Sequence, residues 1–139
     1  DVRVTVVDTP GHIDFTIEVE RALRALDGVV LVVSGPDGIQ AQTETVWQMV
    51  SRRNIPTIVL VNKIERPGFD RDHVLAALAE RLGVTAVPFT WPLEAHEDAI
   101  EVLDFMHDRA TRWTPGDEDV WDSATRAICG TISTSTFSA

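Results

Sequence analysis

Two short stretches carry residue types whose spacing could do chemistry. Residues 62–65 read Asn-Lys-Ile-Glu and hold the only lysine of the 139-residue chain. A carboxylate at Glu65 can accept two N–H bonds from the Watson–Crick edge of guanine, a donor pair that adenine does not present. Asn62 would tie such a base to neighbouring loops, and the stem of Lys63 would cover its flat face. The same four residues also suit an ordinary charged loop. Residues 8–12 read Asp-Thr-Pro-Gly-His. An acid directly after an apolar strand is where phosphate-transfer folds hold a magnesium ion, often through water. The glycine at position 11 lets a backbone N–H approach a phosphate oxygen with no Cβ in the way. His12, beside it, could orient an attacking water. A plain strand-to-helix turn uses the same residue types.

The elements that must position these stretches follow from apolar periodicity. Residues 2–7, Val-Arg-Val-Thr-Val-Val, predict a strand running into the turn at Pro10 and Gly11. Phe15, Val19, Ala22, Leu23 and Leu26 share one helical face, with Asp14 as N-cap and Gly28 as the stop. Residues 29–34 form an apolar run continuous enough for a central parallel strand covered on both faces. A Gly-Pro-Asp-Gly turn follows, then a helix marked by Thr43, Val46, Trp47 and Val50. Residues 56–61 predict a further strand ending at Asn62. Val74, Leu75, Leu78 and Leu82 mark another helix, stopped by Gly83. Residues 84–89 predict a strand shortened by Pro88 and Pro92. Short strands are expected near residues 100–103 and 109–113, a helix over 117–128, and a disordered Ser/Thr-rich tail.

Strand–helix alternation with short connections implies an α/β fold with a parallel sheet, and ligands bind beyond the carboxyl ends of such strands. Both stretches close apolar strands two βα units apart. They are therefore expected on one sheet edge, one serving a phosphate and the other a base, as a GTP-binding domain requires.

Composition narrows the classes further. With 44% hydrophobic residues the chain can bury a core, and its net charge of -10 argues against a general nucleic-acid-binding surface. No apolar run long enough for a membrane span is present, so no membrane partner is expected. A single cysteine, Cys129, excludes an internal disulfide and fits a reducing, cytoplasmic setting. The chain opens at Asp1 without a methionine and reads as a fragment of a longer protein. His73, His96 and His107 lack the spacing of a metal site. Trp47 reads as packing, and Glu18, Glu20, Arg21 and Arg24 as ion pairs along the first helix.

The residues over 8–28, 37–49 and 55–68 resemble the translational GTPases, and bacterial elongation factor G within them. The resemblance extends over residues 1–113; the likeness of residues 127–131 to the family's last guanine motif is read as coincidence. It implies a partial P-loop-GTPase-like α/β fold, mostly parallel and lacking the first strand, phosphate loop and first helix. Residues 1–99 would be the partial GTP-binding domain and 100–113 the start of an inserted subdomain, with 114–139 unassigned. Asp8, Thr9, Pro10, Gly11, His12, Asn62, Lys63 and Glu65 would bind the nucleotide. Asp8 would hold Mg2+ through water and His12 would be the catalytic residue. The implied cofactors are Mg2+ with GTP or GDP, and the implied partner is the ribosome.

Three features depart from the family pattern. No Gly-x-x-x-x-Gly-Lys-Ser/Thr loop can exist, because Lys63 is the only lysine. The switch threonine that completes the magnesium shell is missing too. Glu65 stands where the family has Asp, moving the carboxylate by about 1.5 Å and costing a bidentate pair on the order of 1–3 kcal/mol. The expectation is a parent that hydrolyses GTP on the ribosome and a chain that alone is inactive. The alternatives are a catalytically inactive guanine-nucleotide or ribosome-binding module, and a tetracycline ribosomal-protection type of GTPase.

Overall fold

A computed structural model describes residues 1, 3–9, 16–96, 99–114 and 129–132. The order of elements is α1 (Thr16–Ala22), β1 (Val29–Ser34), α2 (Ala41–Ser51), β2 (Thr57–Asn62), α3 (Arg71–Leu82) and β3 (Ala86–Pro88). Then come β4 (Thr90–His96), β5 (Ala99–Asp104), β6 (Arg109–Trp113) and β7 (Cys129–Ile132). β1 and β2 run parallel in register from Val29↔Thr57 to Ser34↔Asn62, joined through α2. The first sheet has the order β1-β2-β7-β3, and β4-β5-β6 form a second, antiparallel sheet. This is the α/β architecture expected, a parallel pair flanked by helices.

The helices form where the apolar spacing placed them. Val19 and Leu23 from α1 and its following turn, Trp47 and Val50 from α2, and Val74, Leu78 and Leu82 from α3 are all buried. They pack with Leu31, Val33 and Val59 of the parallel pair. Each such Val or Leu contributes roughly 1.5–3 kcal/mol by leaving water. Trp47 adds a polar tie, its indole N–H donating to the Leu82 carbonyl at 2.9 Å. α3 is closed at both ends. Asp70 accepts from the N–H groups of Asp72 and His73 at 2.9 and 3.0 Å. Gly83 adopts φ 67 and donates to the Ala79 carbonyl, the left-handed cap that a residue without Cβ accepts readily.

Several expectations need correction. Residues 3–9 carry no regular secondary structure, and Val4, Val6 and Val7 are exposed at 78%, 84% and 51%. Alternating valines favour a strand only where another strand satisfies their backbone groups, and no described strand pairs with them. β1 is an edge of the described sheet, not a strand covered on both faces. Leu31 and Val33 are buried, whereas Val30 and Val32 are 57% and 56% exposed, because among the described residues no helix covers them. α1 ends at Ala22, before Gly28, in tight bonds from Arg24 and Ala25 to the carbonyls of Arg21 and Ala22. Glu20 pairs with Arg53 of the turn after α2 at 3.2 Å, which ties the two helices together.

β7 was not expected as a strand. It lies antiparallel between β2 and β3, so those two do not touch directly. The second sheet begins at Thr90, where β4 pairs with β5. Asp14, Phe15, the helix expected over 117–128 and the Ser/Thr-rich tail lie outside the described residues.

Candidate functional site

β1 and β2 end level with each other, since Ser34 is the register partner of Asn62. Two loops therefore leave the same edge side by side. In the first, the Ser34 hydroxyl donates to Asp37 at 2.6 Å, and the Gly38 N–H returns to the Ser34 carbonyl at 2.8 Å. In the second, the Asn62 side-chain oxygen accepts the N–H of Lys63 at 2.8 Å. The Arg66 N–H then closes a turn onto the Lys63 carbonyl at 3.1 Å. A third bond joins the loops, from the Gly35 N–H to the Asn62 carbonyl at 2.8 Å.

Lys63 takes φ 61. A side chain with Cβ adopts that left-handed conformation at a cost, and such backbone collects at functional positions. Ile64 is 3% exposed and pins the loop from below. Beneath it Val61, Phe69, Val74, Ala86 and Trp91 line a small apolar pocket. With Ile64 turned inward, Lys63 and Glu65 on either side are half-exposed and Asn62 is exposed. The three polar residues singled out for a base are thus presented by one short, anchored loop. Glu65 meets Arg66 at 3.8 Å across a largely exposed gap, a loose pair that leaves its carboxylate open to a ligand.

Past the loop, the guanidinium of Arg71 lies 4.8 Å from the Trp91 ring centroid and donates to the Pro92 carbonyl at 2.8 Å. That contact joins α3 to the second sheet. Asp70, beside it, has its carboxyl held below the usual carboxylate range, first by the His73 N–H that it accepts. At the tip of the second sheet, Asp104 is held low chiefly by the His107 ring, 2.7 Å away.

Of the other predicted stretch, Asp8 and Thr9 are described. Asp8 is exposed and Thr9 half-buried, on chain without regular structure. Pro10, Gly11 and His12 lie outside the described residues. The strand that was to carry Asp8 to the sheet edge is not formed. Among the described residues, no group of three or more His, Cys, Asp or Glu side chains could hold a metal ion. Sequence reasoning took residues 35–38 only as a turn. The structure adds Gly35 and Phe69 to the surroundings of the 62–65 loop, and neither residue type announces such a role on its own.

Comparison with known proteins bears on both stretches. Residues 1–134 match the elongation factor Tu GTP binding domain family. The chain is 44% identical over 117 residues to elongation factor G of Gluconobacter oxydans (strain 621H), an alignment covering 84% of this chain. It spans only 17% of the length of that relative. Among the described residues no helix is long and apolar enough to cross a membrane. Matched over nearly its whole length, the chain belongs to the elongation factor Tu GTP-binding domain family of translational GTPases and resembles elongation factor G.

Proposed function

We propose that this chain supplies the guanine-reading part of a GTP-binding domain whose intact parent hydrolyses GTP on the ribosome during elongation, in the cytoplasm. The observation that carries the reading is the 62–65 loop. It leaves the level ends of a parallel strand pair, with Lys63 in a left-handed conformation and three polar side chains accessible. Glu65 would accept from N1 and N2 of guanine, Lys63 would lie along the ring, and Asn62 would bridge to the Gly35 loop. Asp8, Thr9, Pro10, Gly11 and His12 would serve the phosphates, with His12 orienting the hydrolytic water. Among the described residues, the Mg2+ that accompanies GTP would meet Asp8 alone. One exposed carboxylate does not make a metal site.

The second sheet, residues 90–113, would be the start of an inserted subdomain, beginning at Thr90 and so earlier than residue 100. A second reading, a catalytically inactive guanine-nucleotide-binding module, is favoured by one feature: Glu65 stands where the family pattern has Asp. The resemblance is shared by tetracycline ribosomal-protection GTPases, whose separate domains would distinguish them.

Fluorescent GDP titrated against the intact parent tests the reading. The parent is expected to bind guanine over adenine nucleotides, and Glu65→Asp to tighten GDP by about tenfold or more, the equivalent of 1.4 kcal/mol. The isolated chain is expected to bind GTP weaker than micromolar. Equal binding of adenine nucleotides by the parent would reject the assignment. Ribosome-stimulated phosphate release by the parent separates the enzyme from the inactive module.

A further inference from the structure

We propose that Gly35 and Phe69 form a complementary pair that positions the 62–65 loop for its base. The inference rests on the nucleotide reading above. Gly35 is buried, and its N–H holds the Asn62 carbonyl at 2.8 Å. A Cβ added there would stand 2.7 Å from Cδ2 of Phe69 and 3.2 Å from the Asn62 carbonyl oxygen. The φ of Gly35 lies outside the left-handed region, so the position demands space and makes no demand on backbone freedom. Phe69 closes the other end of the loop, its N–H donating to the Arg66 carbonyl at 3.3 Å and its ring packing on the core. Both ends of the loop thus converge on one residue without a side chain. The missing Cβ and the large ring fit each other, and the level of Asn62 and Glu65 follows from that fit.

Glu65 would accept from both N1 and the exocyclic N2 of guanine, and hypoxanthine lacks the second donor. The ratio of GDP to IDP affinity therefore reports loop placement, whereas a change in fold stability alone leaves that ratio unmoved. In the intact parent, Gly35→Ala is expected to lower GDP affinity by about tenfold or more, as misplaced hydrogen bonds do, and to bring the GDP-to-IDP ratio toward one. Phe69→Ala removes the ring and is expected to reduce the ratio less. The double variant, which restores the match of sizes, is expected to recover more of the ratio than additivity of the single changes allows. Should Gly35→Ala not fold, Phe69→Ala and the double variant still carry the comparison. A GDP-to-IDP ratio unchanged in every variant that folds overturns the pairing while leaving the nucleotide reading intact. A wild-type parent that does not prefer GDP to IDP overturns both.

Discussion

Replacing Trp47 by phenylalanine probes the joint between α2 and α3 on which the loop-bearing side of the sheet is built. Trp47 is 5% exposed, and its indole N–H is a buried donor to the Leu82 carbonyl at 2.9 Å. Phenylalanine keeps an aromatic ring on the same stem but has no donor. The Leu82 carbonyl then loses a partner in a place where water does not readily replace it, a cost of about 1–3 kcal/mol. The smaller ring also leaves a void beside Val50 and Leu82, adding roughly 1 kcal/mol by lost contact. The sum, about 2–4 kcal/mol, is a large share of the roughly 5–15 kcal/mol that holds a domain folded. With a urea slope of about 1–3 kcal/mol per molar for a domain of this size, the midpoint is expected to fall by about 1–2 M. Far-ultraviolet circular dichroism of the chain through a urea titration measures it, with the slope checked for constancy. A midpoint within about 0.3 M of wild type at unchanged slope would show that the indole bond is not a significant tie and refute the reasoning.

Asp70→Ala removes the cap of α3, and its effect carries a pH signature. The folded carboxyl titrates lower than usual because it accepts backbone N–H groups, first that of His73. A depressed folded value means stability that is present above the unfolded value of about 3.9 and lost as pH falls through the folded one. The gap in melting temperature between wild type and Asp70→Ala is expected to be constant near neutrality and to close below that range; a gap that widens on acidification would contradict the sign. Gly83→Ala is expected to cost about 1–2 kcal/mol through the left-handed backbone alone, since the new Cβ would meet nothing within 4 Å. Urea midpoints check this, and recovery by Gly83→Asn, which tolerates that backbone better, would confirm its origin.

Much of the chain was legible from its letters because its signals are local. The spacing of Val74, Leu78 and Leu82 marks a helix without reference to any other segment, and Gly83 gives its end, whereas the cap at Asp70 emerged only in the structure. Trp47 and Val50 mark α2 in the same way. The end of β2 at Asn62 was legible for a related reason, since an apolar strand stops abruptly at polar types, but the inward anchor at Ile64 was not read from the sequence.

Tertiary structure decided everything that depends on a partner distant in the chain. A strand is a pairing before it is a sequence, so the valines of residues 3–7 remain exposed while the equally apolar β1 finds β2. Burial on one face or two depends on what packs there, and Val30 and Val32 could not disclose that they face outward. Cys129–Ile132 became a strand only because Thr57 and Ala86 offer edges on either side of Ile132. The approach of Gly35 to Phe69 is likewise invisible in the sequence, for it exists only once β1 and β2 end level and bring two loops within a side chain's breadth of each other.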